Sequence, residues 1–423
     1  MNVKILAISN APWDDRNSVG NTQSNWFSDW PDTKISSVYT REAMPDNKCC
    51  QSYFQVTIGD IARHFFMRKR IGKIFQPKNI LGKFSTSTLE SKMVISTKGW
   101  KRKVLQFIVE IVYSSKIWFN QKLKNYIKDF QPNIVFCFAI AEPFRYNIVK
   151  YVKKHTNAKV VMWVADDVYG QTYGMNTLTR YIYRKRYREM FTMADKVYGV
   201  SQMLCEEYMN LYKIQITPLF KGCDMTPCKK KVGNPIQVVY AGNLLYGRDE
   251  TLATLAAGIS EINHGEKKIQ LSVYSGTLVS DEMRESLNIE GCSTLYAARP
   301  YEEIKKIMSE ADIVLHVESF RKEQIKNVRL SFSTKIIDCM QSGSAMMVIG
   351  PKGIASVEYP RKIDGVFVVD DLSLIRKTLC EIVKNPHQID KGANCLSEFA
   401  KRYHDLSAVR NKLHLDFQNI IAS

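Results

Sequence analysis

The sequence predicts an α/β protein made of two doubly wound, Rossmann-like halves facing a cleft. Three observations carry that expectation. Short apolar runs alternate with longer helix-like segments, and this series occurs twice along the chain. The length, 423 residues, exceeds one ordinary core and suits two domains of roughly 200 residues each. Between the two series the composition breaks, with Gly222, Pro227, the run Lys229-Lys230-Lys231 and Gly233 crowded between Pro218 and Pro235, as in an inter-domain linker.

In chain order, residues 3–9 read as a buried strand, 10–22 as a polar loop containing glycine, and 35–39 as a second strand. The stretch 43–103 is rich in Lys, Ser and Gly and reads as a variable basic insertion. Helical periodicity returns over 103–128, and apolar runs at 134–138, 160–165 and 196–200 follow, each separated by a longer helix-like segment. Parallel strands need a crossover, usually a helix, so this alternation argues for a parallel sheet. The second series has strands expected at 237–241, 269–274, 313–317, 345–349 and 366–369, and helices at 250–262, 301–311, 334–342 and 372–384. The expected division is an N-terminal domain over 1–217, a linker over 218–235, a C-terminal domain over 236–395 and a closing helix within 396–423, placed to pack back on the first domain. Ligands of open α/β sheets bind beyond the carboxyl ends of the strands, so loops after strands are where chemistry is expected.

Hydrophobic residues make up 45% of the chain, which excludes wholesale disorder. The first ten residues lack the basic region and long apolar run of a secretory signal. No run reaches the about 18 apolar residues of a membrane span; the nearest, 104–119, is interrupted by Glu110 and Lys116. The ten cysteines are scattered, with only Cys49 and Cys50 adjacent. Without metal-ligand spacing they read as free or buried thiols of a reducing cytosol. The formal charge of +18 implies an anionic partner: nucleic acid, acidic lipid or a phosphorylated substrate. Between Arg63 and Lys124 only Glu90 and Glu110 oppose the basic residues. Arg68, Lys69, Arg70 and Lys73 lie beside Phe65, Phe66, Met67, Ile71, Ile74 and Phe75, while Arg180, Arg184, Lys185, Arg186 and Arg188 interleave with Tyr181, Tyr183 and Tyr187. Such mixtures suit an anionic bilayer surface. RNA and a plain solvated face are the competing readings, but no RNA-recognition motif or zinc module accompanies the charge, so nucleic acid is not the expected partner.

Two segments are candidates for chemistry. In the first, the strand ending at Gly242 runs through Asn243 to Arg248 and into a helix near Asp249. Backbone amides at such an entrance attract phosphate, and Arg248 adds a cation; an ordinary strand–helix connection is the alternative. In the second, Ser333 is a natural N-cap and Gly343 a natural stop for a short helix. Lys335 in its first turn opposes the helix dipole, which an anionic ligand would explain. Asp338, three residues on, shares its face; a Lys for phosphate and an Asp for a ribose diol fit, as does a simple surface pair.

With these motifs in view, the second half resembles the donor domain of retaining GT-B glycosyltransferases of the broad glycosyltransferase family 4 group, many of which build bacterial capsule or O-antigen chains. The matching segments are 239–244, 299–304, 311–319 and 333–343 with the strand 346–350. Gly353, Glu358 and Gly365 fall where small and acidic residues recur downstream. In the first half Ser18-Val19-Gly20-Asn21 resembles the N-terminal glycine loop, and Trp163-Val164-Ala165-Asp166-Asp167 the strand end with an acceptor-side polar residue. Val200-Ser201 and Lys221-Gly222-Cys223-Asp224 resemble the segments before the linker. The likeness covers most of 1–25 and 130–370.

The resemblance implies an acceptor-binding first domain, a nucleotide-sugar-binding second domain and transfer of a sugar to a hydroxyl with retention of configuration. By position, the family's diphosphate-binding Arg and Lys fall on Asn243 and Arg248, and its ribose-binding acid on Asp338. The family's other acid, near the transferred sugar, falls on Leu330, a departure for which Glu318 or Glu323 is the candidate replacement. Lys335 supplies further positive charge, and Gly20, Gly242, Ser333 and Thr334 complete the expected donor-binding set. Arg248, Lys335 and Asp166 are the expected catalytic residues, Asp166 positioning or deprotonating the acceptor hydroxyl, with Asp167 an equal contender. No cofactor and no obligatory metal are expected. The implied acceptor is a lipid-linked oligosaccharide, which places the chain in the cytoplasm at the inner face of the cell membrane. A catalytically degenerate GT-B subunit that supports a partner is the alternative.

Overall fold

A computed structural model describes residues 2–15, 17–67, 70–76, 108–228 and 231–423. The chain divides into two compact units, Met1–Leu219 with Arg410–Ser423, and Phe220–Val409.

The first unit is built on an eight-stranded sheet. Its strands are β1 (Val3–Ile8), β2 (Thr33–Tyr39), β3 (Ser52–Gln55), β4 (Lys73–Phe75), β5 (Ile134–Phe138), β6 (Lys159–Val164), β7 (Lys196–Gly199) and β8 (Ile216–Pro218), in the order β4-β3-β2-β1-β5-β6-β7-β8. All neighbours are parallel except β3 and β4. The helices are α1 (Ser18–Phe27), α2 (Ile58–Met67), α3 (Gln121–Phe130), α4 (Pro143–His155), α5 (Thr177–Met193) and α6 (Gln202–Tyr212). Strand order reverses between β1 and β5, which makes that pair the topological switch point. Every residue of β5 is buried, as expected of a parallel strand covered on both faces.

Several expectations change here. The loop after β1 is shorter than 10–22, because Asn17 caps α1 by accepting a hydrogen bond from the Gly20 amide. Of the stretch expected as an insertion, β3 and β4 extend the sheet, with α2 between them in the chain. The two strands are only four and three residues long, so no long apolar run announces them. Residues 77–107, Arg68 and Lys69 lie outside the described residues. The helix expected over 103–128 is interrupted: residues 108–114 are helical, Lys116 takes a positive φ of 59°, and Asn120 caps α3 through the Leu123 amide.

The second unit carries a six-stranded sheet, parallel throughout. Its strands are β9 (Ile236–Ala241), β10 (Ile269–Ser275), β11 (Ser293–Ala297), β12 (Ile313–Val317), β13 (Ala345–Ile349) and β14 (Phe367–Val369), in the order β11-β10-β9-β12-β13-β14. Its helices are α7 (Arg248–Ile262), α8 (Asp281–Leu287), α9 (Tyr301–Glu310), α10 (Lys322–Val328), α11 (Lys335–Gln341), α12 (Ala355–Glu358), α13 (Ile375–Lys384) and α14 (His387–Tyr403), followed by α15 (Leu406–Ala422). The switch point lies between β9 and β12. The edge strand β11 escapes sequence reading because only its first residue is buried. Residues 220–228 and 231–235, expected as linker, pack within this unit: the Thr226 amide donates to the Gln341 carbonyl, and the Gly233 amide to Asp312.

The single closing helix expected within 396–423 is instead shared between two helices. The break falls at His404 and Asp405, where Asp405 accepts from the Ala408 amide at 2.7 Å and so starts α15. From Arg410 onward α15 belongs to the first unit. There Arg410 pairs with Asp29 at 2.7 Å, Tyr198 donates to Asp416 at 3.0 Å, and Phe417 packs edge-on against Trp30. Phe417 completes a buried aromatic cluster that includes Trp26, Phe27, Phe136 and Trp163. Such rings each remove a large apolar area from water.

Candidate functional site

The switch point of the second sheet assembles the best-formed polar site. β9 delivers Gly242 at its carboxyl end, and the short loop that follows enters α7 at Arg248. Gly247 precedes the helix with φ of 85°, and a Cβ there would come within 2.5 Å of Ser319 Oγ, so the turn requires glycine. Arg248 is fixed on three sides. Its Nη2 donates to Glu318 Oε2 at 2.9 Å, its Nη1 to Asn243 Oδ1 at 2.9 Å, and its Nε to the Val317 carbonyl at 3.2 Å. Glu318 directly follows β12 and is buried. Its second oxygen, Oε1, lies 3.1 Å from Nε2 of the buried His316. Burial works to raise the Glu318 carboxyl, but His316 and Arg248 outweigh it and hold the group below the usual glutamate range.

Lys335 enters from the first position of α11. Its Nζ lies over Gly242, where an ideal Cβ would be only 2.2 Å away, and 5.9 Å from the ring centre of Tyr240. Burial, and then the neighbouring Arg248 guanidinium, push this ammonium below its usual range. Among the described residues no hydrogen bond or ion pair is found for Lys335 Nζ. Two cations therefore meet at the end of β9, one carboxylate is committed to the first, and the second has no paired anion. A partly desolvated site with surplus positive charge favours an anionic ligand.

The remaining predicted residues fall as follows. Asp338 is on α11 with Lys335 but points its Oδ1 to Lys221 Nζ at 3.0 Å and receives the Tyr301 hydroxyl at 3.3 Å. Thr334, not Ser333, occupies the N-cap position of α11, and it makes no side-chain cap bond; the Ser333 amide donates to Ser356 Oγ. Leu330 is wholly buried, so the position holds an apolar packing group. Glu323 is exposed on α10. In the first unit the Gly20 amide is taken by the Asn17 cap, and glycine is required there because a Cβ would fall 2.1 Å from the Asp14 carbonyl oxygen. Asp166 is exposed just beyond β6. Asp167 faces inward, accepting from the Gly170 amide at 2.8 Å and from the Tyr208 hydroxyl at 2.9 Å. Among the described residues no group of three or more His, Cys, Asp or Glu could hold a metal ion, and no helix is long and apolar enough to cross a membrane.

Sequence reading missed the His316–Glu318–Arg248 chain as a unit and the Lys221 partner of Asp338. The available signal for the first was two ionisable residues alternating at the end of an otherwise apolar strand, His316-Val317-Glu318.

No family model and no curated relative matches the chain. Its fold, however, is shared along its whole length with solved glycosyltransferases of the GT-B type. Sucrose-phosphate synthase from Thermosynechococcus elongatus is similar with a TM-score of 0.64 at 11% identity, each chain covered to 100%. HepE of Anabaena, solved in complex with UDP, gives a TM-score of 0.63 at 9% identity over 99% of this chain and 100% of its own. WaaG, a glycosyltransferase involved in lipopolysaccharide biosynthesis, gives 0.56 at 11% identity over 97% and 98%. The fold is thus α/β of the GT-B class, with two parallel-sheet Rossmann-like domains.

Proposed function

We propose that the protein is a glycosyltransferase that moves a sugar from a nucleoside-diphosphate sugar to a hydroxyl of a lipid-linked oligosaccharide in surface polysaccharide biosynthesis. The observation that carries this reading is the meeting of Arg248, at the start of α7, with Lys335, whose Nζ lies over Gly242, at the switch point of the second sheet. The leaving nucleoside diphosphate develops negative charge, and two fixed cations in a partly dry site lower the barrier to its departure. Asn243 adds a neutral donor, and Asp338, anchored by Lys221, receives ribose hydroxyls. This charge supply is why the reaction is proposed to need no obligatory metal and no cofactor. Asp166 positions or deprotonates the acceptor hydroxyl, and transfer proceeds with retention, following the resemblance of the second unit.

A lipid-linked acceptor also suits the surface of the first unit. Leu178 and Tyr181 are 70% and 65% exposed on α5, where Lys185 and Arg188 are exposed as well, whereas Arg180, Arg184 and Arg186 of the same helix are engaged by Thr172, Tyr173, Met175 and Glu110. Met67 is 64% exposed at the end of α2. Apolar and basic groups displayed together favour peripheral contact with an anionic, cytoplasmic membrane face. A second reading, a degenerate subunit supporting an active partner, draws on Leu330, whose buried apolar side chain stands where the resembled family has an acid.

A thermal-shift screen against UDP-, GDP-, CMP- and dTDP-sugars tests the proposal, with Arg248→Ala and Asp338→Ala alongside. The expected outcome is one nucleotide series that raises the melting temperature of the native protein and loses its effect in both variants. No response from any nucleotide would favour the degenerate-subunit reading.

A further inference from the structure

The first sheet has its own switch point, between β1 and β5, and it too carries a constructed polar site. β1 leads to Asn10 and β5 leads through residues 139–141 to Glu142. Glu142 is the N-cap residue of α4, yet its side chain makes no cap bond; Pro143 follows and fixes the first helical position. The carboxylate turns instead to two partners. Asn10 Nδ2 donates to Glu142 Oε1 at 2.6 Å, and Arg145 Nη1 pairs with Glu142 Oε2. The loop is tied down, since the Ala139 amide donates to the Trp163 carbonyl at 2.9 Å and the Tyr146 amide to the Glu142 carbonyl at 3.1 Å.

The energetics of this arrangement are unusual for a structural pair. Arg145 is only 3% exposed and lies in the first turn of α4, where a cation opposes the helix dipole. Its Nε is buried and has no hydrogen-bond partner among the described residues. Desolvating a guanidinium in such a place costs free energy that one ion pair repays poorly. The Glu142 side chain, by contrast, keeps 32% of its surface exposed. The buried cation thus holds an outward carboxylate in place. A carboxylate has about four lone-pair positions; Asn10 and Arg145 take one each. Among the described residues no further side-chain partner is found, which leaves the rest to O–H donors, and a charged acceptor makes stronger hydrogen bonds than a neutral one.

We propose that Glu142, oriented by Asn10 and Arg145 at the switch point of the first sheet, binds the hydroxyl groups of the sugar acceptor. A polyhydroxylated ligand is the class that matches, because a carboxylate whose one paired cation, Arg145, is itself buried presents its remaining oxygen lone pairs to neutral O–H donors. This rests on the glycosyltransferase reading and adds to it a binding residue on the acceptor side, in the loop after β5, one strand away from Asp166.

The test is saturation-transfer-difference NMR on the full chain with a panel of methyl glycosides (gluco, galacto, manno and N-acetylglucosamine), with UDP titrated separately. Native protein is expected to give saccharide signals for at least one glycoside. Glu142→Gln keeps the size of the side chain and its bond to Asn10, and should weaken that glycoside by about 10- to 100-fold, the range for a hydrogen bond to a charged group, with UDP binding unchanged. Asn10→Ala leaves the ion pair intact and should give a smaller loss in the same assay. A folded Glu142→Gln protein that binds glycosides like the native chain overturns the proposal, as does native protein that binds UDP but no glycoside. Failure to bind UDP, with glycoside binding retained, counts against the donor reading and leaves Glu142 supported.

Discussion

Lys335 Nζ occupies the space that a methyl group on residue 242 would need, with an ideal Cβ only 2.2 Å away. Glycine at the end of β9 is therefore a requirement of the neighbouring ammonium. Gly242→Ala should displace Lys335 and lower nucleoside-diphosphate affinity by about tenfold, the order of one lost charge-assisted contact. Isothermal titration calorimetry checks this, with circular dichroism expected to report an intact fold.

Glu318 ties acid sensitivity to the same site. Its folded-state acidity is held below the ordinary glutamate value of 4.5 by His316 and Arg248 acting against burial. Such a group contributes stability that is present above its unfolded value and lost as pH falls through the lowered one. Denaturant melts of the native chain and Glu318→Gln should therefore converge on acidification from about pH 4.5 downward, the native chain being the more stable at neutral pH. Parallel curves across that window would show that the carboxylate titrates alike in the folded and unfolded chain and contributes no such stability.

His404 gives a second, separable pH response. It stands between α14 and α15 with Nε2 2.7 Å from the Tyr359 hydroxyl, beside the rings of Phe220 and Phe399, and burial pushes it down to about 4. The folded protein keeps it neutral while the unfolded chain protonates it near 6.5, so stability falls as pH drops from about 6.5 to 4, by on the order of 3 kcal/mol. His404→Gln should flatten the melting temperature across that interval.

The two adjacent aspartates after β6 should behave differently. Asp167 supports Gly170 and Tyr208, so Asp167→Ala leaves buried donors unsatisfied and should cost about 1–3 kcal/mol of stability. Asp166→Asn, at an exposed position, should leave the melting temperature unchanged and lower the transfer rate. Urea denaturation and a product-release assay on both variants distinguish the roles.

Much of this fold was legible because parallel, doubly covered strands are continuous apolar runs: β5, β12 and β13 are buried at every position and were found within a residue of their bounds. What escaped lacks that signature. β11 and β4 are sheet edges with little burial, and the break before α15 depends on a single capping aspartate. At the site, Arg248 and Lys335 could be named from local pattern because each sits at a helix start. The ion-pair partners of Arg248 and Asp338 could not, since Glu318 and Lys221 approach from segments 70 and 117 residues away from them. Asn10 and Glu142, 132 residues apart, are joined only by strand order.

The central claim is that the second unit binds a nucleoside diphosphate through Arg248 and Lys335. Calorimetric titration of UDP, UMP and uridine into the native chain, Arg248→Ala and Lys335→Met tests it most directly. Native protein should bind UDP more tightly than UMP, and each variant should lower UDP affinity by about 10- to 100-fold while leaving uridine unaffected. UDP binding that is indifferent to both substitutions, or no stronger than uridine binding, would contradict it.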